Sequence, residues 1–549
     1  MKKLTLLIIT NILLICSCKQ QDINPENTIT NENISKHIER LASDAFLGRK
    51  PGTKGEHKTV NYIKNQLEDL NISPGNNSSY FQEFTIQKVN FLNCSNLEIV
   101  SENSKNIYTH SKDFYANTSF ELDKIVKIDT TEIVFAGFGI TASNQNWDDY
   151  KDIDVHGKIV IVLYNDPGFY TNDPKLFRGK QPTYYGSLKY KKREALKRGA
   201  IGLLMVHDKS LDWNKINNTS DTPLFIKGQE TLASDGLKFS GQISIPMMED
   251  LIASSGNQFN YINKALDKDF SIIPLKSKAS LSLKSTGKEV MKTKNVVGLL
   301  KGSKRPKEYL IYTAHWDHIG TRDAHLGQDS IFNGAIDNAS GTAMQLEVAR
   351  AFSKLKNKPE RSIIFLFTSA EEMGLLGSEY YANHPIFPLH KTACVINADA
   401  SFAVERMKMV VNVIEGFTEL DTLVNIAAAK LDRAIFKGDG KMPPNNVFKR
   451  SDHYPFVKKG VPAVWNIGNF EPMNGDKKEE EKIGAYVRNH YHKVTDEFYK
   501  GFNPANITFD AQLNFLTGLE IANTTTWPNW NLNSGYRLIR DESISKETY

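Results

Sequence analysis

The hydrophobic pattern along this chain changes period twice. From Ile34 to Leu41 and from Val60 to Leu70, apolar residues recur at the spacing of helices with one buried face. Between them "FLGRKPGTKGE", rich in Gly and Lys, reads as a loop. After about Ala116 the pattern shortens. "EIVFAGFGI" and "KIVIVLYNDPG" read as strands ending in turns, and "SLKYKKREALKRGAIGLLMVHD" as a basic helix running into an apolar strand. Residues 116–269 are therefore expected to form a separate β-rich unit inserted into the chain. From "NVVGLL" onward strands and helices alternate. "EYLIYTAH", "SIIFLFTS" and "TACVINAD" read as strands; "SGTAMQLEVARAFSKL", "LLGSEYYANH" and "ELDTLVNIAAAKL" read as helices. That alternation predicts an α/β domain with a largely parallel sheet, assembled from residues 34–115 and 270–526. Residues 527–549 are expected to be a polar, peripheral tail.

Length supports two domains, since 549 residues are too many for one. With 40% apolar and 24% charged residues the composition is that of a soluble globular protein. The formal charge of +5 is small, and basic residues are mixed with acidic ones, so no basic stripe marks nucleic-acid binding. The opening "MKKLTLLIITNILLICSC" has two lysines, an apolar stretch from Leu4 to Ile15, then small residues. It reads as a secretory leader, too short to span a bilayer comfortably. It resembles a bacterial lipoprotein signal: Ile15, Cys16 and Ser17 precede Cys18, the expected lipidated residue, so residues 1–18 form the signal region. Loss of Lys2 and Lys3 would leave a formal charge of about +3. Residues 19–33 read as a tether. The expected location is the cell envelope, membrane-anchored and facing the periplasm or the exterior. Cys94 and Cys394 are far apart and read as free thiols.

In an open α/β sheet, ligands bind beyond the carboxyl ends of the strands. "YLIYTA" delivers His315 and Asp317; "FLFTSA" delivers Glu371 and Glu372; "CVINA" delivers Asp399; and Asp337, in "NGAIDNASGTA", precedes a helix. Charge repulsion among these groups would be costly, and a pair of divalent metals would resolve it. The His and carboxylate donors suit zinc, with manganese or cobalt as alternative occupants. Asp317, two residues after His315, is placed to orient that imidazole. Asp337 is the expected bridge between metals. Of the two adjacent glutamates, one can bind metal while the other handles a water proton. His453 and His492 compete for the remaining metal position.

The segments "HWDH", "NGAIDNASGT", "TSAEEMGLLGS", "INAD", "SDHYPF" and "YHKVTDE" occur in order. They resemble the zinc-dependent exopeptidase family that includes bacterial leucyl aminopeptidase, aminopeptidase Y, glutamate carboxypeptidase and glutaminyl cyclase. The inserted unit resembles a protease-associated domain. The resemblance implies a three-layer αβα sandwich with a mostly parallel mixed sheet. It implies that one zinc takes His315 and Asp399, the other Glu372 and His492, with Asp337 bridging. It further implies Glu371 as general base, Tyr491 as a hydrogen-bond donor to the substrate oxyanion, His453 as a nearby active-site residue, and a cis peptide after Asp337. Ala398 and Ala400 depart from the bulkier neighbours usual in the family. The charged stretch "EPMNGDKKEEEKIGAYVRNHYH" is expected to lie as a flap near the site.

The activity expected is release of N-terminal residues from peptides. Carboxypeptidase action uses the same site, with basic residues holding the substrate carboxylate. A cyclase usually relies on one metal, and both metal sets are complete here. A lipoprotein that only binds peptides is the non-enzymatic alternative. Neither an H-E-x-x-H helix nor a G-x-S-x-G elbow is present. Oligomeric state is not legible.

Overall fold

The structure is a computed structural model. It describes residues 24–545 apart from 103, 119–124, 152, 181–182, 208–212, 214–223, 228–236, 324–327, 438–446 and 533. The leader and its Cys16 and Cys18 lie outside the described residues. No helix among the described residues is long and apolar enough to cross a membrane.

The larger sheet is built on the strands expected from the alternation. Arg361–Thr368, Arg305–His315, Thr392–Asn397 and Ala463–Pro472 lie side by side and parallel. The end of the long strand Ile273–Leu300 adds antiparallel on one side, and Met407–Asn412 adds antiparallel on the other. Side chains alternate between two cores. Leu310, Tyr312 and Ala314 face one, with Ile363, Phe365 and Phe367. Ile311, Ile364, Leu366 and Val395 face the other. The period of two puts a helical layer on each face. The first face packs Asn31–Leu41, Lys54–Asp69, Gly341–Ser353 and Ala505–Asn523; the second packs Leu376–Asn383 and His453–Val457. This is the three-layer αβα arrangement.

The inserted unit carries its own core and a mostly parallel sheet. Ile125–Phe135, Ile159–Leu163, Gly202–Val206 and Phe239–Ile243 run parallel, with Phe114–Thr118 antiparallel at the edge. Its core begins at Leu97 and ends at Leu283, so the unit is larger than the 116–269 expected. The boundary was not legible because the strands Phe81–Cys94 and Ile273–Leu300 run from one unit into the other. They pair antiparallel from Phe81–Val296 to Cys94–Leu283, with bulges on the way, and show no turn signal at the crossing.

Both ends of the α/β unit differ from expectation. Residues 24–33 are not a loose tether: Ile29 is buried, and Gln512 donates to the carbonyls of Glu26 and Ile29. The stretch after 526 is not peripheral either. Trp530 Nε1 donates to Gly460 O at 2.7 Å, and the helix Gly535–Ser545 buries Tyr536 and Arg540. Arg540 looks polar in a sequence, yet its stem packs inside while its guanidinium reaches the carbonyls of Leu389 and Thr392 at 3.0 and 2.7 Å.

Candidate metal centre

Register brings the donors together. His315 pairs with Thr368 and Thr313 with Asn397, so three parallel strands end nearly level. Each then releases its acidic residues at the same rim. Asp337 enters from the turn Ala335–Ser340, ahead of the helix Gly341–Ser353, across a cis Asp337–Asn338 bond. Gly334 opens that turn at φ +57°; a Cβ there would lie 2.2 Å from the Asp337 carbonyl oxygen. Ala370 and Ala400, flanking Glu371 and Asp399, also have positive φ, at 58° and 53°, as does His492 at 56°. Such backbone is disfavoured for residues with a Cβ and is tolerated where surrounding structure imposes it.

Two donor groups share Asp337. His315 Nε2 lies 3.4 Å from Asp337 Oδ1 and 3.3 Å from Asp399 Oδ1. His492 Nε2 lies 3.1 Å from both Asp337 Oδ2 and Glu372 Oε2. The pairing His315 with Asp399, and His492 with Glu372, is the one drawn from the motifs. A third imidazole was not anticipated: His318 Nδ1 sits 2.6 Å from Glu372 Oε1, and its Nε2 is buried with no partner. The sets His315–Asp337–Asp399 and His318–Asp337–Glu372 each offer three ligand atoms within 4.8 Å of one another. The signal for His318 was present in "HWDH", three residues after His315 and thus on the same strand end.

Electrostatics around the cluster favour a cation. Burial, with Asp399, Asp452 and Glu372 nearby, pushes Glu371 well above the usual carboxylate range despite His315. Burial opposes charge on His315, yet Glu371, Asp399 and Asp337 hold its pKa well above the usual range. His492, likewise against burial, is raised to about 10 by Asp337 and Glu372. Groups that stabilise positive charge this strongly on two imidazoles fit a divalent cation.

The supporting contacts were less legible. Asp317 does not orient His315 with its carboxylate, which stands 3.9 Å from Nδ1; the Asp317 main-chain carbonyl, at 3.2 Å, does so instead. The carboxylate accepts the main-chain N–H of Glu371 at 3.1 Å and of Glu372 at 3.4 Å, aiming both glutamates. Two residues of spacing bring the main chain, rather than the side chain, back to the ring. Ser451 donates to Asp399 Oδ2 at 2.5 Å, and Trp465 Nε1 to the Asp399 carbonyl at 3.2 Å. Asn338 Nδ2 donates to Ala398 O. Arg49, fully buried, donates to the carbonyls of Leu41, Trp316, Asn333 and Gly334, tying the segments that carry Asp317 and Asp337.

His453 lies beneath the site rather than in it. Its Nε2 meets Phe448 O at 2.9 Å, its ring packs 5.3 Å from Trp465, and burial lowers its pKa to about 4. Tyr491 stacks on His492 with ring centroids 3.9 Å apart, and its hydroxyl accepts from Arg450 at 3.2 Å. The charged stretch forms the helix Lys478–Asn489, whose Tyr486 reaches Asp496 at 2.9 Å. That helix roofs a cavity of about 310 Å3 lined in part by Ile336, Phe402, Ile483 and Phe502.

The chain is similar in part to known proteins. Residues 295–510, which hold every donor named above, match peptidase family M28. Rat aminopeptidase NAALADL1 is 36% identical over 118 residues, 21% of this chain and 14% of that protein. The probable glutamate carboxypeptidase LAMP1 of Arabidopsis thaliana is 27% identical over 260 residues, 44% of this chain and 35% of its own length. The chain thus spans well under two thirds of these relatives. The solved aminopeptidase from Aneurinibacillus sp. strain AM-1 aligns over 92% of this chain and 97% of its own, at 20% identity and a TM-score of 0.45. What this chain is similar to, through residues 295–510, is peptidase family M28.

Proposed function

We propose that the protein is a metallo-exopeptidase that removes N-terminal residues from peptides with the help of two zinc ions. The observation that carries this reading is the convergence of His315, Asp399, Glu372 and His492 on the two oxygens of Asp337. His315 and Asp399 would hold one ion, Glu372 and His492 the other, with Asp337 between them. Zinc held there supplies Lewis acidity that polarises the scissile carbonyl and acidifies water. Glu371, aimed by the Asp317 clamp on its main-chain N–H, takes the proton of the attacking water and returns it to the leaving amine. The Tyr491 hydroxyl, beside His492, donates to the oxyanion that develops on the carbonyl.

Hydrolysis of a dipeptide panel, with free or blocked N-termini and with or without chelator, tests the reading. Cleavage that needs a free amine and stops with chelator supports it. Cleavage of N-blocked peptides replaces it with carboxypeptidase action. Glu371→Gln should keep its zinc and lose at least about 100-fold in rate; full activity in that zinc-loaded variant removes Glu371 from its role. The leader suggests export and lipid anchoring at Cys18. Metabolic labelling with palmitate should tag the wild type and not Cys18→Ala.

A further inference from the structure

The inserted unit docks on the α/β unit through a patch that lies behind Asp399. Arg178 sits in a turn where Phe177 and Arg178 both have positive φ, at 46° and 64°. Such backbone persists where the surroundings impose it. The half-buried guanidinium donates to Gly416 O at 2.9 Å and stacks 3.7 Å over the Phe417 ring. Tyr184 of the same unit packs on the second core of the α/β unit, 5.9 Å from Tyr536. Asp166, fully buried, accepts from Thr183 and caps Phe169. Its charge reaches across to Lys449: burial lowers the Lys449 pKa, and attraction to Asp166 works against that.

Both footholds lead on to the same metal donor. The Phe417 ring packs 5.3 Å from that of Phe448, whose carbonyl meets His453; His453 packs on Trp465, and Trp465 Nε1 holds the Asp399 carbonyl. Lys449 is two residues ahead of Ser451, which accepts from Asn397 at 2.7 Å and donates to Asp399 Oδ2. Asp399 is thus held at its main chain and at its carboxylate by groups resting on the docked patch. It precedes Ala400, whose φ of 53° must be imposed from outside. Other donors are held from within the α/β unit: Asp337 by Asp496, and the two glutamate amides by Asp317. We propose that Arg178 and Asp166 are positioning residues for Asp399, so that docking of the inserted unit sets one zinc site and leaves the other alone. The inference rests on the reading of Asp399 as a zinc ligand. Loss of the guanidinium leaves one face of Phe417 without its partner, and the rings beneath relax towards the gap.

Titration of zinc into the full chain against a competing chelator reads the two sites as separate steps. Arg178→Ala should weaken one step by about tenfold and leave the other unchanged. Asp166→Asn, which keeps the cap on Phe169 and removes the charge, should act on the same step. Ser451→Ala should weaken that step as well. Adding Asp166→Asn to Ser451→Ala should then cost less than Asp166→Asn costs alone, because the hydrogen bond it positions is already gone. Two unchanged steps in both single variants overturn the proposal, and so does an equal loss at both sites or strict additivity with Ser451→Ala. If Arg178→Ala fails to fold, the Asp166→Asn cycle decides. A wild type that binds no zinc removes the metal reading and this proposal together; a wild type that binds two ions beside indifferent variants removes the proposal alone.

Discussion

Asp496 holds the backbone of Asp337. Its Oδ2 accepts the Asp337 main-chain N–H at 3.1 Å, its Oδ1 accepts that of Ile336 at 3.0 Å, and Tyr486 donates to the same carboxylate. Nothing in the spacing of these residues announces the contact, which joins positions 160 apart. Asp496→Asn keeps the shape but turns one acceptor into a donor facing an N–H. Metal affinity should fall by about 10–100-fold, read by titrating zinc against a competing chelator. Unchanged affinity would mean that the turn carrying Asp337 holds itself.

His318 contacts the same glutamate as His492, through the other carboxylate oxygen. Whether it orients Glu372 or binds the ion, His318→Asn should weaken one zinc more than the other. The expected loss is about 10–100-fold at that ion. Two unchanged binding steps in the titration would leave His318 as packing alone.

Removing metal should destabilise the fold. Asp337, Glu371, Glu372 and Asp399 converge within one buried cluster, and a cation held among them offsets their mutual repulsion. Zinc at 100 times its dissociation constant adds about 2.7 kcal/mol per site. Chelator should therefore lower the melting temperature, and zinc should restore it; indifference to both would count against a resident metal.

His453 should make stability depend on pH in one direction. Its folded pKa is lowered to about 4 by burial, against an ordinary 6.5. Above pH 6.5 both folded and unfolded chains carry it neutral, and the contribution is full. As pH falls from 6.5 towards 4 the unfolded chain binds a proton that the folded chain refuses, so stability drops by about 3 kcal/mol. Denaturant unfolding of wild type and His453→Gln at pH 5 and pH 7.5 measures this. The variant should show a shallower fall between the two pH values; identical falls would refute the assignment.

Much of the molecule follows from local properties of the chain. Short, near-continuous apolar runs such as "YLIYTA" and "IIFLF" made these strands and, buried on both faces, placed them in the middle of a parallel sheet. Strand ends then located His315, Glu371, Glu372 and Asp399, because a parallel sheet releases its strands at one rim. Resemblance to the peptidase family separated His492 from His453, a choice that spacing left open.

Tertiary structure decided the rest, and the reason is the same in each case. Asp317 clamps the glutamate amides, Asp496 holds the Asp337 turn, and Arg49 ties Asn333 to Trp316 across separations of 54, 160 and more than 200 residues. Those contacts depend on where loops meet, which no local period encodes. The unit boundary was hidden because two uninterrupted strands cross it, and the buried C-terminal helix because an arginine reads as surface until its partners are known. The sequence by itself determined which chemistry the rim presents; only the register of the sheet and the packing of distant loops decided which atoms stand close enough to share a metal.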